Sequence, residues 1–248
     1  MKIALFGYGK MGKEIEEIAL KRGHEILLKI DLHNSSSIGK PDLNKCDAAI
    51  EFSTPHSAIA NISKCFDAGL PVVVGTTGWY DKLEEVRKQC SEKNGCLFYA
   101  SNFSIGVNIF FKINESLARI MNSYPDYNVS MEEIHHIHKL DVPSGTAITL
   151  ANQILENIKR KNKWTSSIRL AAKNTTTAFS SAEELEIVSK RIDEVPGTHS
   201  IKYFSSIDDI EIRHTAHNRK GFALGAVLAA EFIKEKKGIF GMNDLLKL

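Results

Sequence analysis

The sequence predicts an α/β fold: a Rossmann-type dinucleotide-binding domain on a parallel sheet, followed by a second, α+β domain built on a mixed sheet. Three observations carry this expectation. A short apolar run closes on Gly7-Tyr8-Gly9-Lys10-Met11-Gly12 with a helical pattern directly after it. Strands and helices then alternate as far as Phe103, and beyond Phe103 strands follow one another without regular helices between them. The 248 residues, 43% hydrophobic and 25% charged, suit one large or two modest globular domains. A formal net charge of +2 leaves no general basic field for nucleic acid, so the expected partner is a small molecule.

Lys2 to Phe6 reads as a buried parallel strand, and the glycine motif that follows sits in the context it needs. Gly7 permits the tight turn, Gly9 lets a pyrophosphate approach the backbone, and Gly12 lets the helix pack on the sheet; Tyr8, Lys10 and Met11 complete the loop. The helix is expected to run to about Arg22. His24 to Ile30 is the second strand and ends in Asp31, 19 residues after Gly12, where a dinucleotide fold places the carboxylate that binds the adenine ribose. Asp31 should accept hydrogen bonds from the ribose diol of NADH and repel a 2′-phosphate. The neighbours Leu32 and His33 supply no arginine, although Lys10 and a protonated His33 can offset the repulsion in part. NADH is therefore the favoured cofactor, with NADPH as the alternative.

Asp47 to Phe52 is the third strand, and Ser53-Thr54-Pro55 supplies an N-cap and a first-turn proline for a helix reaching about Ala68. Pro71 to Val74 leads into Gly75-Thr76-Thr77-Gly78, a small-residue turn that lets a flat ring approach backbone. Trp79 to Asn94 reads as a helix, and Cys96 to Tyr99 as a fifth strand ending at Ala100-Ser101-Asn102-Phe103. These turns fall at the carboxyl ends of parallel strands, where open α/β sheets bind ligands. Gly75, Thr76, Thr77, Ala100, Ser101, Asn102 and Phe103 are accordingly cofactor-binding candidates.

After Phe103 comes a long apolar helix, Ile105 to Met121, then a strand around Met131 to Ile137, a helix from Ala147 to about Lys161, and a polar stretch through Thr177. Glu184 to Arg191, Thr198 to Phe204 and Ile210 to Ala216 read as strands separated by Pro-Gly and Asp-Asp turns. The apolar helix Phe222 to Ile233 is assigned back to the first domain. The expected division is 1–103 for dinucleotide binding, 104–218 for substrate binding and oligomerisation, and 219–248 returning to the first domain.

Chemistry concentrates between Glu132 and Ala147, which pack three imidazoles, one ammonium and three carboxylates around a glycine turn. A strand delivers His135 and His136 to opposite faces, Lys139 can turn back toward His135, and Pro143 ends the ladder. Ser144, Gly145 and Thr146 then open a helix whose free N–H groups make a site for a carboxylate or phosphate. A lone strand histidine is ordinarily structural; the cluster points to acid/base groups beside an anion pocket. A zinc site from His135 and His138 with Glu132 or Asp141 is disfavoured, because the spacing fits no usual ligand pattern and Lys139 would repel the ion. No metal is expected.

Cys46, Cys65, Cys90 and Cys96 form no C-x-x-C pair, which suits reduced thiols in a cytoplasm. The longest apolar stretch, Phe222 to Ile233, falls short of a membrane span, so neither membrane nor secretion is expected.

Taken together, these residues resemble one family, 4-hydroxy-tetrahydrodipicolinate reductase, over essentially the whole chain. The most specific part is His135-His136-Ile137-His138-Lys139-Leu140-Asp141-Val142-Pro143-Ser144-Gly145-Thr146-Ala147. Gly75-Thr76-Thr77-Gly78, Ala100-Ser101-Asn102-Phe103-Ser104, Arg191 to His199 and Phe222-Ala223-Leu224-Gly225-Ala226-Val227 are also similar to family segments. Two departures stand out: Asp193 replaces a usual glycine, and the glycine loop is one residue shorter than in many members. The resemblance implies hydride transfer from NADH or NADPH to C4 of a cyclic, conjugated imine bearing two carboxylates, in diaminopimelate and lysine synthesis. It implies His135 as the acid, with Lys139 helping to orient and stabilise, His136 with Ser144, Gly145 and Thr146 binding substrate, Arg219 as a charge contact between domains and a cofactor-binding residue, and a homotetramer. Its rivals are another Rossmann amino-acid or keto-acid dehydrogenase and a non-catalytic NADH-sensing module; the latter would have no need of the His/Lys pair.

Overall fold

In β1 (Lys2–Phe6) four buried residues follow one exposed residue, the signature of a strand covered on both faces. The computed structural model describes residues 1–170 (169 and 170 by backbone only), 181, 183–218 and 220–248. In chain order β1 is followed by α1 (Lys10–Lys21), β2 (Glu25–Ile30), α2 (Lys40–Leu43), β3 (Ala48–Glu51), α3 (Pro55–Asp67), β4 (Val72–Val74), α4 (Leu83–Glu92) and β5 (Cys96–Tyr99). Next come α5 (Ile105–Met121), β6 (Asn128–His135), α6 (Gly145–Asn157), β7 (Lys163–Leu170), β8 (Glu184–Arg191), β9 (Gly197–Phe204) and β10 (Asp209–Ala216). The chain closes with α7 (Lys220–Ile233), β11 (Gly238–Phe240) and α8 (Met242–Leu246). Contacts divide it into two units, 1–108 with 219–248, and 109–218.

The first unit carries a six-stranded, all-parallel sheet in the order β11-β5-β4-β3-β1-β2. Alternate residues serve opposite layers, as strand geometry requires. Ile3, Leu5, Val73 and Phe98 pack with Ile15 of α1 and Ala223 and Val227 of α7, while Ala4, Phe6, Val72 and Val74 pack with Ile62 and Phe66 of α3 and Val86 of α4. Thr54 is the N-cap of α3 and Pro55 its first residue, as the sequence suggests. The helix expected from Trp79 begins later, with a 3-10 turn at Tyr80–Lys82 and then α4. The reason is Trp79 itself, which is buried and donates its indole N–H to the Thr76 carbonyl at 2.7 Å, holding residue 79 in the preceding turn.

The second unit is a mixed five-stranded sheet in the order β10-β9-β6-β8-β7, with β6 parallel to β8 and antiparallel to β9. Its core joins Phe110 and Met121 of α5, Leu150 and Ile154 of α6, and Met131, Ile187, Ile201 and Tyr203 of the sheet. Asn114, fully buried, donates to the Leu150 carbonyl at 3.1 Å and to Gln153 Oε1 at 2.9 Å, tying α5 to α6. The central strand ends at His135, two residues before the expected limit, where its ladder with β8 stops at the His135–Arg191 pair. The following helix starts at Gly145 rather than Ala147 and stops at Asn157 rather than Lys161. β7 occupies part of the stretch read only as polar; residues 171–177 of that stretch lie outside the described residues.

Candidate active site

The turns at the carboxyl ends of β1, β4 and β5 converge on Phe52, which follows β3. Gly7 has φ +92°, and a Cβ there would lie 2.0 Å from the Phe52 carbonyl oxygen, so neither the conformation nor the space admits another residue. A Cβ at Gly75 would fall 2.1 Å from the Phe52 ring, and the Phe103 ring lies tilted against the same ring, 5.6 Å between centroids. A Cβ at Gly12 would meet the Gly7 carbonyl at 2.3 Å, whereas one at Gly9 meets nothing within 4 Å. Gly9 caps α1 without a side chain, and the first turn holds no acidic residue. Open space before an uncapped helix N-terminus is the cradle a pyrophosphate needs, so the loop fits a dinucleotide.

The rest of this loop is braced from outside. Tyr8 donates its hydroxyl to Glu16, and Lys29 pairs with Glu16 at 2.7 Å while lying 4.8 Å from the centre of the Tyr8 ring. Lys10 is exposed and Met11 half-buried. Asp31 is exposed and accepts from the N–H groups of His33 and Asn34 at 2.8 and 3.3 Å; Asn34 returns the bond, its Oδ1 accepting from Asp31 N–H at 2.9 Å. Nothing in the sequence pattern singled out Asn34.

Thr76 is buried, its hydroxyl accepting from Ser53 N–H at 2.8 Å, while Thr77 is exposed. Ala100 is half-buried, Ser101 exposed, and Asn102 Oδ1 accepts from Ser104 N–H at 2.8 Å. Arg219 lies outside the described residues. Beneath these turns Glu51 is fully buried, receiving Ser53 Oγ–H and, at 3.2 Å, the amide of Asn61. Burial pushes its carboxyl up, against the pull of those donors. Sequence reasoning missed it, although an acid ending the buried run Ala48-Ala49-Ile50 is a visible signal.

In the second unit the chemistry gathers at the end of β6. Glu133 and His135, two residues apart, share the inward face, and His136 leaves the ladder half-buried. Glu133 is opposite Ser189 on β8 and His199 on β9 in the strand register. Its carboxylate accepts from Ser144 N–H at 3.1 Å and Ser189 Oγ–H at 2.8 Å, and lies 3.4 Å from the Arg191 guanidinium, 3.3 Å from His135 Nδ1 and 3.8 Å from His199 Nε2. Burial alone would push this carboxyl up; His135, Ser144 and Ser189 outweigh it and hold it well below the usual carboxylate range. Burial, then the neighbouring His135, push His199 down to about 3, so that imidazole stays neutral.

The loop to α6 is fastened by the same knot. Ser144 is buried, its hydroxyl accepting from Ala147 N–H at 3.2 Å and touching His199 Nε2 at 3.1 Å. Gly145 is exposed, with nothing within 4 Å of an added Cβ, and Thr146 is half-buried. Lys139 pairs with both oxygens of Asp141 at 2.8 and 2.9 Å, an ion pair that holds Asp141 below its usual range against its partial burial. Where Asp193 replaces glycine, Glu194 takes the left-handed conformation at φ +56°. His138 is exposed while His135 is buried, which does not favour the zinc pairing considered from sequence. Atoms of Glu133, His135 and His199 fall within 4.8 Å of one another, but Arg191 and Ser144 already satisfy that carboxylate, which marks a hydrogen-bond knot and not a cation site.

Two family models cover the chain almost end to end: dihydrodipicolinate reductase, N-terminus, over residues 1–103, and dihydrodipicolinate reductase, C-terminus, over 106–246. The chain belongs to the dihydrodipicolinate reductase family. A 4-hydroxy-tetrahydrodipicolinate reductase of Christiangramia forsetii is 50% identical over 248 residues, 99% of this chain and 98% of that protein. Among solved structures, a dipicolinate-bound dihydrodipicolinate reductase from Paenisporosarcina sp. TG-14 superposes with a TM-score of 0.73 at 23% identity, covering 98% of each chain. A probable dehydrogenase from Thermotoga maritima reaches 0.55 at 9% identity over 99% of this chain and 92% of that one, a likeness of fold. Members of this reductase family use NAD(P)H. Glu133, Ser189, Arg191 and His199 had no place among the residues singled out as binding or catalytic; they meet only through strand pairing.

Proposed function

We infer that the chain is an NAD(P)H-dependent 4-hydroxy-tetrahydrodipicolinate reductase of diaminopimelate and lysine synthesis, reducing the cyclic imine formed when the 4-hydroxyl leaves as water. The observation that carries the reading is the joint between α6 and β6: Ser144 binds Glu133, so the helix N-terminus stands beside the strand end bearing His135. A bound nicotinamide supplies the hydride. Binding, orientation and proton delivery fall to the chain's own residues.

The N-terminus of α6 at Gly145 and Thr146, with His136 and Lys139, receives a ring carboxylate of the kind dipicolinate carries. Lys139 holds Asp141 in the free protein, and a substrate carboxylate competes for that ammonium. Ser144 is too buried to serve as a direct ligand and acts by holding the turn. Hydride addition at C4 leaves electron density on the ring, and His135 supplies the proton that meets it. Gly7 to Gly12 seat the pyrophosphate, the turns at 75–77 and 100–103 border the nicotinamide, and Asp31 favours NADH over NADPH. Family resemblance supports a homotetramer and a cytoplasmic setting; among the described residues no helix is long and apolar enough to cross a membrane.

The test uses NADH deuterated at C4 of the nicotinamide. Mass spectrometry and NMR of the product should find the deuterium on ring carbon C4 of tetrahydrodipicolinate; deuterium elsewhere, or none, contradicts the reading.

A further inference from the structure

We propose that Glu133 is the positioning residue of the reaction: it holds His135 with Nδ1–H directed inward, so that Nε2 is the nitrogen that delivers the proton. The proposal rests on the reading of His135 as the acid. Nδ1 of His135 is sealed from solvent and makes no well-aligned hydrogen bond among the described residues, and Glu133 Oε2 stands 3.3 Å from it. On the other side, a Cβ at residue 197 would lie 3.0 Å from Nε2; glycine there, at φ +157°, leaves that nitrogen room. The ring thus has one nitrogen turned to a carboxylate and one kept clear.

Charged and titratable groups face this pair from every element packed against it. From β8, Arg191 reaches the other oxygen of Glu133; from β9, His199 lies 3.8 Å from Oε2 but stays neutral; behind it His214 on β10 adds a further unfavourable field; and from the loop come Lys139 with its partner Asp141. Ser144 N–H and Ser189 Oγ–H keep Glu133 ionised despite full burial. A fixed carboxylate behind Nδ1 selects the tautomer and stabilises the imidazolium before the proton leaves. In the step itself the Nε2–H bond breaks, its electron pair stays on Nε2, and the proton forms the new bond at the electron-rich ring carbon. Nδ1–H remains on His135 beside Glu133, and water returns the proton to Nε2.

The full-length protein is measured as wild type, Glu133→Gln and Glu133→Asp, with kcat and KM followed across pH. Glu133→Gln should lower kcat by about 10- to 100-fold and move the alkaline limb of its pH profile down by about one unit, with KM for NADH within about twofold. Glu133→Asp, which keeps the charge, should restore much of the limb. A fall in kcat with the limb unmoved would show a purely structural role and overturn the proposal. A second arm needs no variant of Glu133: in wild type labelled with 15N-histidine, with the resonance assigned through His135→Gln, neutral His135 should carry its proton on Nδ1, and a proton on Nε2 overturns it. The two readings fail separately. Unchanged turnover in His135→Gln removes the acid assignment, whereas a slow His135→Gln beside an unmoved limb in Glu133→Gln removes only the positioning role.

Discussion

Asp31 has a structural task apart from the one proposed for it. Oδ1 closes the turn to His33 and Asn34, and the clasp with Asn34 fixes the side chain at the end of β2, which suits the ribose contact proposed for it. Two charges about 4 Å apart near a surface interact by about 4 kcal/mol at an effective dielectric of about 20, so even a screened Asp31 should reject a 2′-phosphate. Asp31→Ser should therefore shift the ratio of kcat/KM for NADH over NADPH by about tenfold or more toward NADPH; an unmoved ratio would show that the discriminator lies elsewhere. For His135→Gln we expect kcat to fall by about 10²-fold with NADH binding retained, and for Lys139→Ala losses in both kcat and KM, read from steady-state kinetics and NADH titration. At this scale His135, Lys139 and the glycine loop were legible because each lies in a short run dense in reactive residues or glycines. It concealed the partners of Glu133, since Ser189, Arg191 and His199 reach it only through the register of β6 with β8 and β9.

Among elements, α6 is the one the site depends on. Its first turn contains no acid to compete with a bound anion, and its entry is fixed by Ser144. Thr146→Val should weaken dipicolinate-type inhibitors by about 1–3 kcal/mol, the cost of an unmet buried partner, and leave NADH affinity alone; calorimetry that finds equal losses for both ligands would place this turn elsewhere. Most elements were legible from periodicity and caps, from β1 and its glycine loop to α5 and α7, because their apolar runs are long or their ends marked. β7 was not: Lys-Trp-Thr-Ser-Ser-Ile-Arg-Leu lies at a sheet edge, where polar residues are tolerated and alternation fades. β11, three residues long, owes its existence to pairing with β5, which no local pattern announces.

For the whole molecule, the buried charges set a pH limit on stability. His199 drops from an ordinary 6.5 to about 3 on folding, so the unfolded chain binds the extra proton and stability declines as pH falls from 6.5 toward 3. Glu133 is lowered from 4.5, so the stability it lends is complete above that value and is lost as pH falls further. Urea midpoints should thus drop between pH 7 and 4, and His199→Gln should flatten the upper part of that decline; an unchanged slope would mean that His199 is not held neutral. The most direct test of the reaction itself uses wild-type protein coupled to a synthase that makes the substrate from pyruvate and aspartate semialdehyde. NADH should be oxidised in step with substrate formation and only when both precursors are present. Purified, cofactor-binding protein that leaves NADH untouched under those conditions would contradict the account.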